Sequence, residues 1–150
     1  MKQMNIDSWL IEIDIAKTKE FYETYHFITE DCGCDYCTNF VLACDTFSPE
    51  VTDLFHTLGI DPRKEGEVSE FMKNEDGTHL YVAFYHLVGK IIERPEQSKP
   101  TKNGDDSPLL FVNVHGVEIS FTEDLSLVPD GFPMPTIQME MQLNIPWLLT

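Results

Sequence analysis

Ile137-Gln138-Met139-Glu140-Met141-Gln142-Leu143-Asn144 alternates apolar and polar residues along its whole length. Successive side chains of a strand point to opposite faces. Ile137, Met139, Met141 and Leu143 are therefore expected to face a core, and Gln138, Glu140 and Gln142 to face water, as in an antiparallel sheet solvated on one side.

Working back from this strand, Pro129, Gly131, Pro133 and Pro135 break the chain. Residues 109–122 are rich in β-branched and aromatic side chains and read as one long strand, or as two joined at His115-Gly116. Residues 68–73 and 79–88 flank Asn74-Glu75-Asp76-Gly77, a sound hairpin connection.

Helix signals are confined to the first half. Asp14 is placed to cap a helix reaching Tyr25, with Phe21 and Tyr25 one turn apart. A clearer helix starts at Ser48, a good N-cap, followed by Pro49 and Glu50. Val51, Leu54, Phe55 and Leu58 then repeat at helical spacing, and Gly59 ends the helix. Residues 39–43 are short and apolar, consistent with helix or strand. The fold class that follows is α+β: N-terminal helices packed on one face of a mainly antiparallel β-sheet formed by the C-terminal half.

The chain has 150 residues, enough for one domain with a real core. Residues 93–108 hold three prolines, a glycine and no large apolar side chain. They read as a long surface loop within a single domain spanning 1–150, because the piece beyond them is too small to fold well alone.

The formal charge is −16, from 10 basic and 26 acidic residues. No Lys or Arg lies between Lys19 and Arg63, where Glu20, Glu23, Glu30, Asp31, Asp35, Asp45, Glu50, Asp53 and Asp61 all fall. None follows Lys102. Such a chain repels phosphate backbones and anionic membranes, so neither nucleic acid nor a membrane is expected as partner. A basic protein is the partner this charge suits. No apolar run approaches the ~20 residues of a spanning helix, and the N-terminus does not read as a secretory signal. A cytoplasmic location is expected.

The densest chemistry is Cys32-Gly33-Cys34-Asp35-Tyr36-Cys37. Thiolates select zinc or iron–sulfur, and Gly33 would let the backbone turn between ligands. The second C-x-x-C of a closed four-cysteine site is missing. If a metal, zinc foremost, is bound, the expected ligands are Cys32, Cys34 and Cys37, with His26, the histidine nearest in sequence, or a water completing the shell. Packed thiols and a redox disulfide are the competing readings.

Cys44 is expected in the core. Were residues 37–44 helical, the two cysteines would lie ~10 Å apart along the axis, too far for one zinc with bonds of ~2.3 Å. Among His26, His56, His79, His86 and His115 no H-x-x-x-H or H-E-x-x-H occurs, and there is no G-x-S-x-G, G-x-G-x-x-G or P-loop. Acidic neighbours also disfavour a thiolate that lacks a nearby cation. The apolar end, Ile145-Pro146-Trp147-Leu148-Leu149, is expected to dock.

Two functional expectations remain. One is a small acidic cytosolic binding or interaction protein, with a structural metal at the cysteines. The alternative is a redox or metal-dependent enzyme using Cys32, Cys34 and Cys37.

Overall fold

The computed structural model describes residues 1–25, 33–64, 67–95, 111–123, 129 and 131–149. Most of the loop expected at 93–108 lies outside these residues. Strands β1 (Lys2–Ile6) and β2 (Trp9–Ile13) form a hairpin, followed by helix α1 (Ile15–Thr24). Helix α2 (Asp35–Ala43) continues into a 3-10 turn, Cys44–Thr46, and helix α3 (Pro49–Leu58) follows. Among the described residues five strands follow: β3 (Glu67–Lys73), β4 (His79–Glu93), β5 (Val112–Val114), β6 (Val117–Thr122) and β7 (Thr136–Ile145).

The strands make one seven-stranded sheet in the order β1-β2-β4-β7-β6-β5, with β3 paired to β4. Every pairing is antiparallel, which establishes the α+β class. No described helix is long and apolar enough to cross a membrane.

Local chemistry sets the element ends as expected. Asp14 accepts from the Lys17 amide and Ser48 from the Val51 amide, capping α1 and α3. Gly59 ends α3 at φ 80° in the left-handed region. His115 and Gly116, at φ 54° and 90°, turn β5 into β6, so the described part of that stretch, residues 111–122, holds two strands. The ambiguous residues 39–43 belong to a helix. The β1–β2 hairpin was not foreseen, although Trp9, Ile11 and Ile13 alternate as buried residues with Leu10 and Glu12.

The core lies between the sheet and α2 and α3. Tyr81, Ala83, Tyr85 and Leu87 of β4 stand beside Leu143, Met141, Met139 and Ile137 of β7, with Ile119 and Phe121 of β6 beyond. Phe40 of α2 meets Tyr81, and Phe55 of α3 meets Tyr85, at ring separations of 5.5 and 5.1 Å. Each such side chain contributes about 1.5–3 kcal/mol by leaving water.

The polar face of β7 departs from expectation. Gln138 is 4% exposed, and Glu140 and Gln142 are half-buried rather than facing water. His86 of β4 lies opposite Gln138, and its Nε2 donates to Gln138 Oε1 at 3.1 Å. Phe132 packs on the His86 ring at 5.9 Å. Alternation fixes which way a side chain points, not what covers it. Burial also raises the Glu140 carboxyl above its ordinary value.

Strand β4 is longer than any partner on its second edge. β3 covers it from His79 to Phe84, and β2 from Gly89 to Glu93. The gap between them is closed by α1. The Tyr22 hydroxyl accepts from the His86 amide at 2.9 Å and donates to the His86 carbonyl at 3.2 Å. Thr18 Oγ1 accepts from the Val88 amide, and the Asp14 amide donates to the Val88 carbonyl. Thr18 and Tyr22 lie four apart on one helix face, so a single helix supplies the missing ladder.

Candidate functional site

Cys34 sits outside α2 as its N-cap, in extended conformation (φ −72°, ψ 162°). Its Sγ accepts from the Cys37 amide at 3.4 Å, taking up one of the N–H groups a helix leaves unpaired at its start. Cys34 is exposed, whereas Cys37, in the first turn, is 5% exposed. Gly33 is not at positive φ, and a side chain there would meet none of the described residues. Cys44 is buried in the core cluster at the end of the same helical run.

Of the expected metal ligands, the structure therefore brings Cys34 and Cys37 together; Cys32 and His26 lie outside the described residues. Among the described residues no three His, Cys, Asp or Glu side chains are grouped as a metal site.

Tyr81 ties α2 to the sheet by donating to the Tyr36 carbonyl at 2.9 Å. Its hydroxyl is pushed up to about 12, chiefly by burial; the Asn39 hydrogen bond opposes this, and negative charge at Glu70, Cys37 and Cys34 adds to it. The thiols, Tyr81 and Glu70 thus share one neighbourhood. Glu70 on β3 holds His79 Nδ1 at 2.7 Å. The His79 ring lies 4.7 Å from Trp147, which meets Tyr36 edge-on at 5.6 Å.

The C-terminal tail docks, through a residue the sequence reading passed over. Asn39 is fully buried; it donates to the Pro146 carbonyl at 3.1 Å and accepts from the Leu148 amide at 2.6 Å. Tyr36, Asn39 and Leu42 step along one flank of α2, three residues apart, and the tail crosses that flank at Asn39. Tyr36, Leu42 and Leu148 remain 48%, 45% and 42% exposed. β3 packs beside α2 and adds exposed Phe71 and Met72.

The elements that carry these side chains are acidic, with Arg63 beside Asp45 and His79 bound to Glu70. Among the described residues of α2, the 3-10 turn, β3 and the tail, the carboxylates are Asp35, Asp45, Glu67 and Glu70, and Lys73 is the one cation.

A cleft of about 510 Å³ lies elsewhere, between α1 and the end of α3. Lys19, Lys64, His56 and Glu23 line it with both signs of charge. Asp61 at its rim is held by Arg63 at 3.1 Å. Among the described residues, the buried polar atoms left without a partner, on Trp9, His86 and Ser120, do not belong to its lining. The α2 surface therefore has the more specific chemistry. No protein-family model, curated protein or solved structure matches the chain.

Proposed function

We propose that this is a small acidic interaction protein, working in the cytosol, that docks a basic polypeptide segment on the surface formed by α2, the C-terminal tail and β3. The observation that carries this is the exposure of Tyr36, Leu42 and Leu148 on elements whose charged side chains are mostly carboxylates. Contiguous exposed apolar patches rimmed by polar residues mark interaction sites. The surrounding charge selects a cationic partner and rejects nucleic acid and anionic lipid. The test is calorimetric titration with a synthetic amphipathic helix bearing Lys and Leu, beside its Glu-for-Lys counterpart. Only the Lys peptide is expected to bind, less tightly as salt rises. Tyr36→Ala should weaken it about tenfold, ~1.4 kcal/mol. Equal affinity for both peptides would refute the reading.

A second reading is a zinc or redox centre on Cys32, Cys34 and Cys37, with His26 as spare ligand. It is favoured by Cys34 capping α2, since first-turn amides support a thiolate or a metal-bound sulfur. Elemental analysis of protein purified without added metal, together with a thiol count, tests it. Stoichiometric zinc lost on Cys34→Ser but kept on Cys44→Ser is the metal outcome.

A further inference from the structure

Cys34 and Cys37 differ in the respect that thiol–disulfide exchange exploits: one is open to solvent and the other lies behind it. The Cys34 sulfur rests against the backbone nitrogen of Cys37, and that residue's own thiol is only Cα and Cβ further on. Residues three apart at a helix start are neighbours, with Cβ atoms about 5–6 Å apart. A disulfide wants about 3.5–4.5 Å. Cys34 lies outside the helix as its N-cap, so its backbone can turn while α2 keeps its own hydrogen bonds.

We infer that Cys34 and Cys37 form a dithiol that exchanges with a disulfide carried by a cationic polypeptide, an inference resting on the docking surface proposed above. The Cys34 thiolate attacks one sulfur of the substrate disulfide. That S–S bond breaks, a mixed disulfide forms on Cys34, and the first substrate thiolate leaves and takes a proton. Cys37 gives up its proton and attacks the Cys34 sulfur. The mixed disulfide breaks, the second substrate thiol departs, and a Cys34–Cys37 disulfide remains. Two electrons pass from the protein dithiol to the substrate disulfide, and the exchange is reversible.

Charge sets the substrate class. The first-turn amides favour a Cys34 thiolate, while Asp35 beside it opposes one. A docked cation supplies the positive charge that Asp35 offsets, so exchange is fastest with cationic disulfides. Tyr36, exposed two residues from Cys34, gives such a substrate an apolar foothold beside the attacking sulfur.

The test uses three small disulfides: cystamine (dicationic), hydroxyethyl disulfide (neutral) and oxidised glutathione (anionic). With the full-length wild type, cystamine should yield an internal bond that peptide mass mapping places at Cys34–Cys37. Cys37→Ser should instead hold one cysteamine on Cys34, and Cys34→Ser should leave Cys37 unreacted. Cystamine should react roughly tenfold faster than oxidised glutathione at low salt, and the ratio should fall toward one at high salt as screening sets in. Equal labelling of Cys34 and Cys37, an internal bond mapped to Cys32, or thiols masked by stoichiometric zinc would each overturn the inference. Docking is scored separately with the Lys peptide. Binding that survives Cys34→Ser without exchange sinks the dithiol and leaves the docking surface standing. Exchange with the stated charge preference, without peptide binding, sinks the docking surface instead.

Discussion

Tyr22→Phe removes one oxygen atom and changes almost no volume, yet it should be among the most damaging conservative substitutions in this protein. The lost hydroxyl is the acceptor for the His86 amide and a donor to the His86 carbonyl. Among the described residues no strand passes there to replace it, because β3 ends its pairing at Phe84 and β2 begins at Gly89. His86 is fully buried, so water does not reach the vacated positions. Each buried backbone group left unpaired costs about 1–3 kcal/mol. The ring remains and keeps its edge contacts with Phe21 and Phe132, so no cavity term is added. The expected loss is about 2–6 kcal/mol, against total stabilities of about 5–15 kcal/mol for domains generally.

Urea denaturation of the two proteins measures it directly, with the midpoint moving and the slope unchanged. For a chain of this size the melting temperature should fall by roughly 5–15 °C. Amide exchange adds a local readout, since protection at His86 should drop more than at Tyr85. A loss below about 0.5 kcal/mol would refute the reasoning, since it would mean that α1 does not substitute for a strand in the β4 ladder.

Three further outcomes follow from single features. Gly89→Ala should abolish soluble folded protein or cost more than about 3 kcal/mol, read by yield and denaturation, because the added Cβ would overlap the Glu12 carbonyl oxygen and lie 2.8 Å from Ile13 Cα, both backbone. Asn39→Ala should cost about 1–3 kcal/mol from two lost hydrogen bonds and shift Trp147 emission to the red as the tail lifts from α2. Burial pushes the His86 imidazole down, with the Gln138 bond opposing. Its neutral form therefore stabilises the fold fully above the ordinary value of about 6.5, and that stability is lost as pH falls below it, by at most about 1.4 kcal/mol per pH unit for one proton. Glu140, two residues along from Gln138, works in the opposite sense, so the His86 share is the wild-type slope between pH 7 and 5 minus that of His86→Asn; equal slopes would discount it.

Local signals were legible in the sequence, and contacts made across long stretches of chain were not. Alternation at 137–144 placed Met139 and Met141 in the core, and Ser48, Pro49 and Gly59 set the ends of α3, because caps and pleats depend on neighbours within a few residues. The partners of Tyr22 and Asn39 lie 64 and 107 residues away. Nothing in the composition of α1 says that its hydroxyls replace a strand, and an asparagine in an apolar helix reads as an interruption until the tail arrives to use both ends of its amide. Gln138 failed for a related reason: its direction was right, but it is bonded to His86, whose ring is packed by Phe132. At the cysteines, spacing alone suggested three equivalent ligands. The helix start distinguishes Cys34 from Cys37, and that difference depends on where α2 begins, which the apolar stretch 39–43 left undecided.

The partner switch along β4 also bears on how a protein would bind here. By releasing β4 at Phe84, the sheet leaves β3 as an edge beside α2. Exposed edges invite strand addition. This one has a register break between Glu70 and Met72, with the intervening Phe71 turned out to solvent. It also carries Glu67 and Glu70, and charge and bulges both discourage a new strand from pairing. Main-chain addition is thus discouraged at this edge beside the cysteine-bearing helix. What remains available is side-chain contact with Tyr36, Leu42 and Leu148, which stand on a helix and on a tail fixed by a buried amide. A surface held this rigidly loses little conformational entropy on docking. On the proposed docking reading, a helical or compact cationic partner is expected rather than an extended one.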